Sequence, residues 1–247
     1  MENQIAELLQ NSRRCAVLTG AGISAESGVP TFRGEEGLWG KFRPEELASM
    51  DAFMANPKMV WEWYNWRRQL MGDVKPNPGH HALADLEQIM PSFWVITQNV
   101  DGLHKMAGSG NILELHGNIH RNKCVKCNQL CGEDVDIDPD NIPTCTHCGG
   151  QLRPDVVWFG EMLDPVVINR AFAESEQADV FLSVGTSAVV HPAASLPMAA
   201  RSEGAKLVEI NPEPTPLTDL ADISVRAKSG EFLPRVVEIV REHAGRG

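Results

Sequence analysis

The sequence predicts an α/β fold, a parallel sheet with helices on both faces and a smaller module set against it. Three observations carry this expectation. Apolar runs of strand length recur, helical stretches separate them, and two long segments break the alternation. The strand-like runs are residues 16–19, 93–97, 112–115, 180–184, 206–210 and 223–225. Helical patterning opens the chain at 5–14, recurs at 80–90, 166–175 and 193–203, and closes it at 231–243. Residues 36–75 are rich in Trp, Met and Arg and read as helical, without a strand. Residues 118–159 hold two cysteine pairs, an acidic stretch at 133–138 and several turn residues. The expected division is therefore a main domain of residues 1–34, 76–117 and 160–247. A helical insertion (35–75) and a cysteine-bearing insertion (118–159) form the small module, and a cleft between module and sheet is the default ligand site.

Bulk properties narrow the function. The 247 residues are 43% hydrophobic and 22% charged, as in a soluble globular protein. A formal net charge of -11 argues against broad binding to nucleic acid. No apolar run approaches membrane-spanning length and no signal-peptide core opens the chain, so the expected location is cytoplasmic.

The first strand-like run leads into Gly20-Ala21-Gly22-Ile23-Ser24-Ala25, which matches the G-x-G-x-x-G/A dinucleotide fingerprint. Gly20 would allow the tight turn, Gly22 would admit a pyrophosphate to the backbone, and a helix N-terminus would offer N–H groups to it. Alone the fingerprint is weak, but Pro30-Thr31-Phe32-Arg33-Gly34 follows it, and a simple phosphate turn needs neither the aromatic nor the arginine.

The four cysteines Cys124-x-x-Cys127 and Cys145-x-x-Cys148, with seventeen residues between the pairs, suit a tetrahedral Zn²⁺. Four thiolates fill the coordination sphere, so the metal would be structural, with His147 unnecessary as a ligand. Cys15 and Cys131 lie outside the pattern.

Polar clusters end the other strands. Gln98, Asn99 and Asp101 follow the second, where Asn and Asp suit ribose hydroxyls and carboxamides but also form ordinary turns. His116 follows the third and is a candidate general base. Gly185-Thr186-Ser187 offers donors to phosphate or ribose, and Asn211-Pro212-Glu213 offers a carboxylate and an amide to an adenosine ribose.

Together these motifs resemble the sirtuins, a family of NAD-dependent protein deacylases. The matching pieces are residues 20–34, 97–104, His116-Gly117, the four cysteines, Phe159-Gly160-Glu161, Gly185-Thr186-Ser187 and Asn211-Pro212-Glu213, in the family's order and across nearly the whole chain. The resemblance implies a Rossmann-like domain with a zinc and helical module, and NAD as a consumed co-substrate. It implies attack of an acyl-lysine oxygen on the nicotinamide ribose, loss of nicotinamide, and release of lysine and O-acyl-ADP-ribose. Asn99 would contact the ribose and His116 would deprotonate a ribose hydroxyl. Asp101 would bind the carboxamide, Phe32 would shield the reactive ribose, and Arg33 would lie in the mobile cofactor loop. The same resemblance puts Ala21, Ser24, Glu26, Thr31, Trp39, Gln98, Val100 and Ala227 in the cofactor cleft. Val157 and Phe159 would line the lysine channel and pair with substrate backbone by strand addition.

Within Trp61-Glu62-Trp63-Tyr64-Asn65-Trp66-Arg67, Tyr64 and Arg67 stand at i and i+3 on one helix face, where phenol and guanidinium could together bind a carboxylate. This resembles the sirtuin subgroup that removes succinyl and malonyl groups. Against it stand neighbouring Arg68 and the tryptophans 61, 63 and 66, which give the segment the look of a packed helix. Other readings are a sirtuin acting mainly as a deacetylase, a protein ADP-ribosyltransferase, an NAD oxidoreductase and a zinc-ribbon binding module. The oxidoreductase lacks a clear acidic residue about 20 residues beyond the glycines.

Overall fold

The structure, a computed structural model, describes residues 1–31, 44–131 and 141–244. Helix α1 (Glu2–Gln10) precedes strand β1 (Arg14–Thr19), and the short α2 (Ala21–Ala25) follows it. Helices α3 (Pro44–Leu47), α4 (Met50–Ala55), α5 (Pro57–Met71) and α6 (Pro78–Ile89) lead to β2 (Ser92–Thr97). Then come α7 (Leu103–Met106), β3 (Ile112–Glu114), β4 (Gly117–Cys124), β5 (Leu130–Cys131) and β6 (Leu152–Val156). The chain closes with α8 (Pro165–Glu176), β7 (Val180–Val184), α9 (Leu196–Ser202), β8 (Lys206–Ile210), β9 (Ile223–Val225) and α10 (Ser229–Ala244).

Six strands form one sheet in the order β3-β2-β1-β7-β8-β9, and every pairing is parallel. This is the doubly wound order, with its reversal between β1 and β7, and that switch point is where such sheets bind ligands. The register levels the strand ends. Thr19 pairs with Thr97 and Val184, Thr97 with Glu114, Val184 with Ile210, and Ile210 with Val225. Each polar cluster seen in the sequence follows one of these residues, so the sheet delivers them to a single edge.

Side chains alternate across the strands. Cys15 and Val17 of β1 pack with α1, α6 and α10 through Ile5, Leu83 and Val236, whereas Ala16 and Leu18 pack with α8 and α9 through Ala171 and Leu196. The small module has its own core, in which Phe53, Trp61 and Tyr64 meet Ile119 and Trp158. Its sheet is antiparallel, in the order β5-β4-β6.

All six expected strands are present, with ends shifted by at most two residues. Helices α6 and α8 start earlier than expected, at Pro78 and Pro165. The side chains of Asn77 and Asp164 cap them by accepting from Gly79 and Val166 N–H groups, and proline fits the first turn because its missing donor is not needed there. Helix α1 ends at Gln10 because Arg14 already belongs to β1. The expected helix at 193–203 divides into a 3-10 turn, Ala193–Ser195, and α9.

Gly117 joins β3 to the small sheet with a φ of 80°, and a Cβ there would fall on the Asp155 carbonyl oxygen. Gly117→Ala is therefore expected to destabilise the protein by at least about 2 kcal/mol. An unchanged urea midpoint would contradict this.

Candidate active site

The loops after β1 and β7 meet backbone to backbone. The Gly22 N–H donates to the Gly185 carbonyl at 2.8 Å, and a Cβ on Gly22 would lie 2.7 Å from that oxygen. A Cβ on Gly20 would lie 2.8 Å from Thr186 Cβ. The bareness of Gly22 thus serves the close approach of Gly185. Helix α2, which the fingerprint opens, is five residues long.

A buried polar network lies beside these loops. Asn99 Nδ2 donates to the Gly20 carbonyl and to Ser24 Oγ, both at 3.0 Å, and Ser24 Oγ donates to Asp101 Oδ2 at 2.7 Å. Burial pushes the Asp101 carboxyl above its ordinary value, opposed by bonds from Leu103 N–H and Ser24. His80 accepts the Asn77 N–H at Nδ1, which leaves its proton on Nε2, 3.4 Å from Ser24 Oγ. His104 Nε2 lies 2.9 Å from Thr19 Oγ1, which donates to Thr97 Oγ1. Burial pushes His80 down to about 4 and His104 to about 3, so both are neutral at pH 7. The motif reading did not single out these two histidines. The Asn77-Pro78 cap is the signal that could have placed His80, at the third helical position of α6.

His116 sits at the same edge. Its Nδ1 lies 2.9 Å from the Gln98 carbonyl, which can only accept, so Nδ1 carries the proton and Nε2 keeps a lone pair. Burial lowers this imidazole below 6.5, against the Gln98 bond, and leaves it an unprotonated base at neutral pH. The Gln98 amide ties the β1 and β7 loops together, donating to Thr186 Oγ1 at 2.8 Å and to the Thr19 carbonyl at 3.3 Å. Ser187 is exposed beside them.

At the far end, Asn211 Nδ2 donates to the Glu213 carbonyl at 2.7 Å, and Pro212 and the Glu213 side chain are exposed. Buried Glu209 fastens this loop, accepting from Thr215, Thr218, Ser224 and Arg226. Arg226 also reaches the Asn211 and Glu213 carbonyls, and half-buried Ala227 packs on the main core. Glu26 is engaged elsewhere, with Oε1 accepting from Ser229 Oγ and the Gly230 N–H at 2.9 Å each, at the start of α10. Thr31 is half-buried, whereas Phe32, Arg33, Trp39 and the acidic stretch 133–138 lie outside the described residues.

Arg67 is buried yet lines a cavity with Ala21, Ser24, Asn99, Val100 and Asp101. Its guanidinium lies 4.9 Å from the Trp63 ring centroid and 5.8 Å from that of Tyr64. Burial lowers its pKa, with Tyr64 and Asp101 opposing. Arg68 has a different task, since it donates to the Ile119 and Arg121 carbonyls and to Asn122 Oδ1, fastening α5 to β4. Tyr64 lies beside Arg67, buried, with its hydroxyl accepting from Trp158 Nε1 at 2.8 Å. Val157 is half-buried and Phe159 is 53% exposed. Their N–H groups already donate to the His116 and Ala48 carbonyls. Strand addition through those two donors is therefore taken up within the chain.

The four cysteine sulfurs of Cys124, Cys127, Cys145 and Cys148 lie within 4.8 Å of one another, with Cys124 to Cys148 at 3.5 Å and Cys127 to Cys145 at 3.8 Å. A tetrahedral Zn²⁺ with four thiolates has sulfurs about 3.8 Å apart, so this donor set fits zinc. Cys131 packs at the edge of the cluster, and Cys15 is buried in β1.

A doubly wound sheet with a glycine-walled crevice at its switch point, a neutral histidine at the rim and a four-cysteine ribbon defines a dinucleotide-binding α/β protein with a zinc module. Comparison with known proteins narrows the class. The Sir2 family model matches residues 20–192, and the chain belongs to the Sir2 family. An NAD-dependent protein deacylase of Aquifex aeolicus (strain VF5) is 53% identical over 92% of this chain and 95% of its own length. One of Pyrococcus abyssi (strain GE5 / Orsay) is 50% identical over 96% and 97%. A solved Sir2 homologue mutant with ADP-ribose has a TM-score of 0.95 at 46% identity, covering 100% of this chain and 99% of that one. A Sir2 complex with a p53 peptide and NAD+ has a TM-score of 0.83 at 33% identity, covering 100% of both chains. Among the described residues no helix is long and apolar enough to cross a membrane.

Two expectations follow. Cys145→Ser is expected to lose bound zinc, measured by metal analysis, and to unfold or aggregate; full zinc in a folded variant would exclude the site. The neutral burial of His80 and His104 contributes stability that is complete above 6.5 and is lost as pH falls through their folded values near 4 and 3. Each group is worth up to about 1.4 kcal/mol per pH unit in that window. His104→Gln is expected to flatten the fall of the urea midpoint between pH 6.5 and 5, and an unchanged slope would contradict this.

Proposed function

We propose that this NAD-dependent protein deacylase removes succinyl and malonyl groups, and some acetyl groups, from protein lysines, releasing nicotinamide and O-acyl-ADP-ribose. The observation that carries the acyl preference is the buried Arg67 guanidinium in the same cavity as Asn99 and Asp101. A carboxylate at the acyl tip supplies the anion that a buried cation favours, through a charge-assisted bond that a methyl group cannot make.

The glycine contact of the β1 and β7 loops fits a dinucleotide, since it clears side chains from the crevice floor. Zn²⁺, held by the four cysteines, supplies structure to the ribbon and no chemistry to the cleft. The carboxamide of Asn99, fixed by Gly20 and Ser24, orients the ribose, and Asp101 receives the nicotinamide carboxamide. The lone pair on His116 Nε2 takes the proton of a ribose hydroxyl, while Gln98 holds the ring. The solved complex carrying a p53 peptide supports a peptide-borne lysine as substrate. Gly20, Gly22 and Gly185 wall the crevice, with Ala21, Thr186 and Ser187 beside them, and the loop at Asn211–Glu213 serves the adenosine end.

A second reading, mainly a deacetylase, draws on the buried Tyr64, whose hydroxyl is bonded to Trp158.

Succinyl-, malonyl- and acetyl-lysine peptides decide between them, with nicotinamide and freed peptide followed together. Arg67→Met is expected to lower kcat/KM for the two acidic acyl groups by about 10- to 100-fold, and for acetyl far less. Equal loss on all three would remove the carboxylate role. His116→Ala is expected to abolish peptide release for every acyl group, and full activity would refute its role as base.

A further inference from the structure

Trp158 is buried between the substrate-facing residues Val157 and Phe159, and its indole is held on every side. The Arg153 guanidinium lies 3.6 Å from the ring centroid, and both of its terminal nitrogens bond Glu161, at 2.6 Å each. Glu161 also accepts the Trp158 backbone N–H at 2.8 Å, and the Phe53 ring packs with its centroid 5.4 Å away. The indole therefore has one orientation, and in it Nε1 donates to Tyr64 Oη at 2.8 Å.

This bond decides what Tyr64 can offer a ligand. An indole N–H only donates, and a phenol has one proton and two lone pairs. With Trp158 on one lone pair, the hydroxyl proton is the group left to give. Burial raises the phenol pKa, against the pull of Arg67 and the Trp158 bond, so the proton stays in place at neutral pH. Tyr64 stands against Arg67, which lines the cavity.

We propose that Trp158 is a positioning residue for acyl selectivity: its Nε1–H fixes Tyr64 as a hydrogen-bond donor beside Arg67, so that the pair presents two donors to the carboxylate of an acidic acyl group. The inference rests on the acidic-acyl reading above. It extends that reading by tying selectivity to the segment that lines the lysine channel. It also gives the Arg153–Glu161 pair a role, since that pair holds the indole that aims the phenol.

The test compares kcat and KM on succinyl- and acetyl-lysine peptides for wild type, Trp158→Phe, Tyr64→Phe and the double variant. A further protein carries β-(3-benzothienyl)alanine at position 158, which keeps the bicyclic shape and removes only the N–H. The succinyl-to-acetyl ratio of kcat/KM is expected to fall about tenfold in both position-158 variants, through the succinyl KM. The double variant is expected to be no worse than Tyr64→Phe, because the two residues act through one bond. The proposal is overturned if the benzothienyl protein keeps the wild-type ratio, if both substrates lose equally, or if the two substitutions multiply. Arg67→Met in the same assay separates the failures. Selective loss there with an unchanged ratio at position 158 overturns the Trp158 role alone, and non-selective loss there overturns both.

Discussion

Everything at the active edge depends on two loops touching without side chains between them. The sheet reverses its order between β1 and β7, and at such a reversal the loops diverge and leave a crevice. Here Gly20 and Gly22 let the β1 loop come back against Gly185 and Thr186, so the base of the crevice is main chain. That contact sets the positions of the remaining parts. Gln98 bridges the two loops from β2, Asn99 hangs from the Gly20 carbonyl, and His116 hangs from the Gln98 carbonyl. A methyl group at any of these glycines would move His116 and the Asn99 amide together.

The small module is fastened by different means. Its ribbon has the four-cysteine cluster, and its core has the Trp61 indole donating to the Leu152 carbonyl and the Arg153–Glu161 pair. Arg153 is almost completely buried, a costly place for a cation unless it is fully bonded. Two bonds to Glu161, one to the Val156 carbonyl and the face of Trp158 meet that requirement. The Val157 N–H then joins this segment to the His116 carbonyl, so the segment at 156–159 and the His116 loop share a rigid support.

What the sequence disclosed follows the range of each interaction. Strands buried on both faces read as apolar runs, so β7 and β8 were legible to the residue. The zinc cluster was legible because each knuckle is local, and the level strand ends made scattered polar motifs read as one site. Helix starts were read late where a polar cap and a proline precede the apolar pattern. The contacts that give the site its electrostatics were not legible. Ser24 and Asp101 are 77 residues apart and Trp158 and Tyr64 are 94, and no local pattern announces such a bond. Glu209 looked like an ordinary strand residue because its partners come from the next loop and strand. Gly22 was recognised for a sound motif, and its missing side chain admits a neighbouring loop.

The neighbouring arginines of α5 illustrate a division of labour with an evolutionary consequence. Arg68 grips three acceptors on β4, and Arg67, one residue before it, faces the cavity. Anchoring and cavity lining therefore reside in separate codons. Selection can exchange the lining residue for an apolar or neutral side chain while the helix keeps its hold on the module. A single helix can in this way reshape the wall of the cavity without crossing an unfolded intermediate.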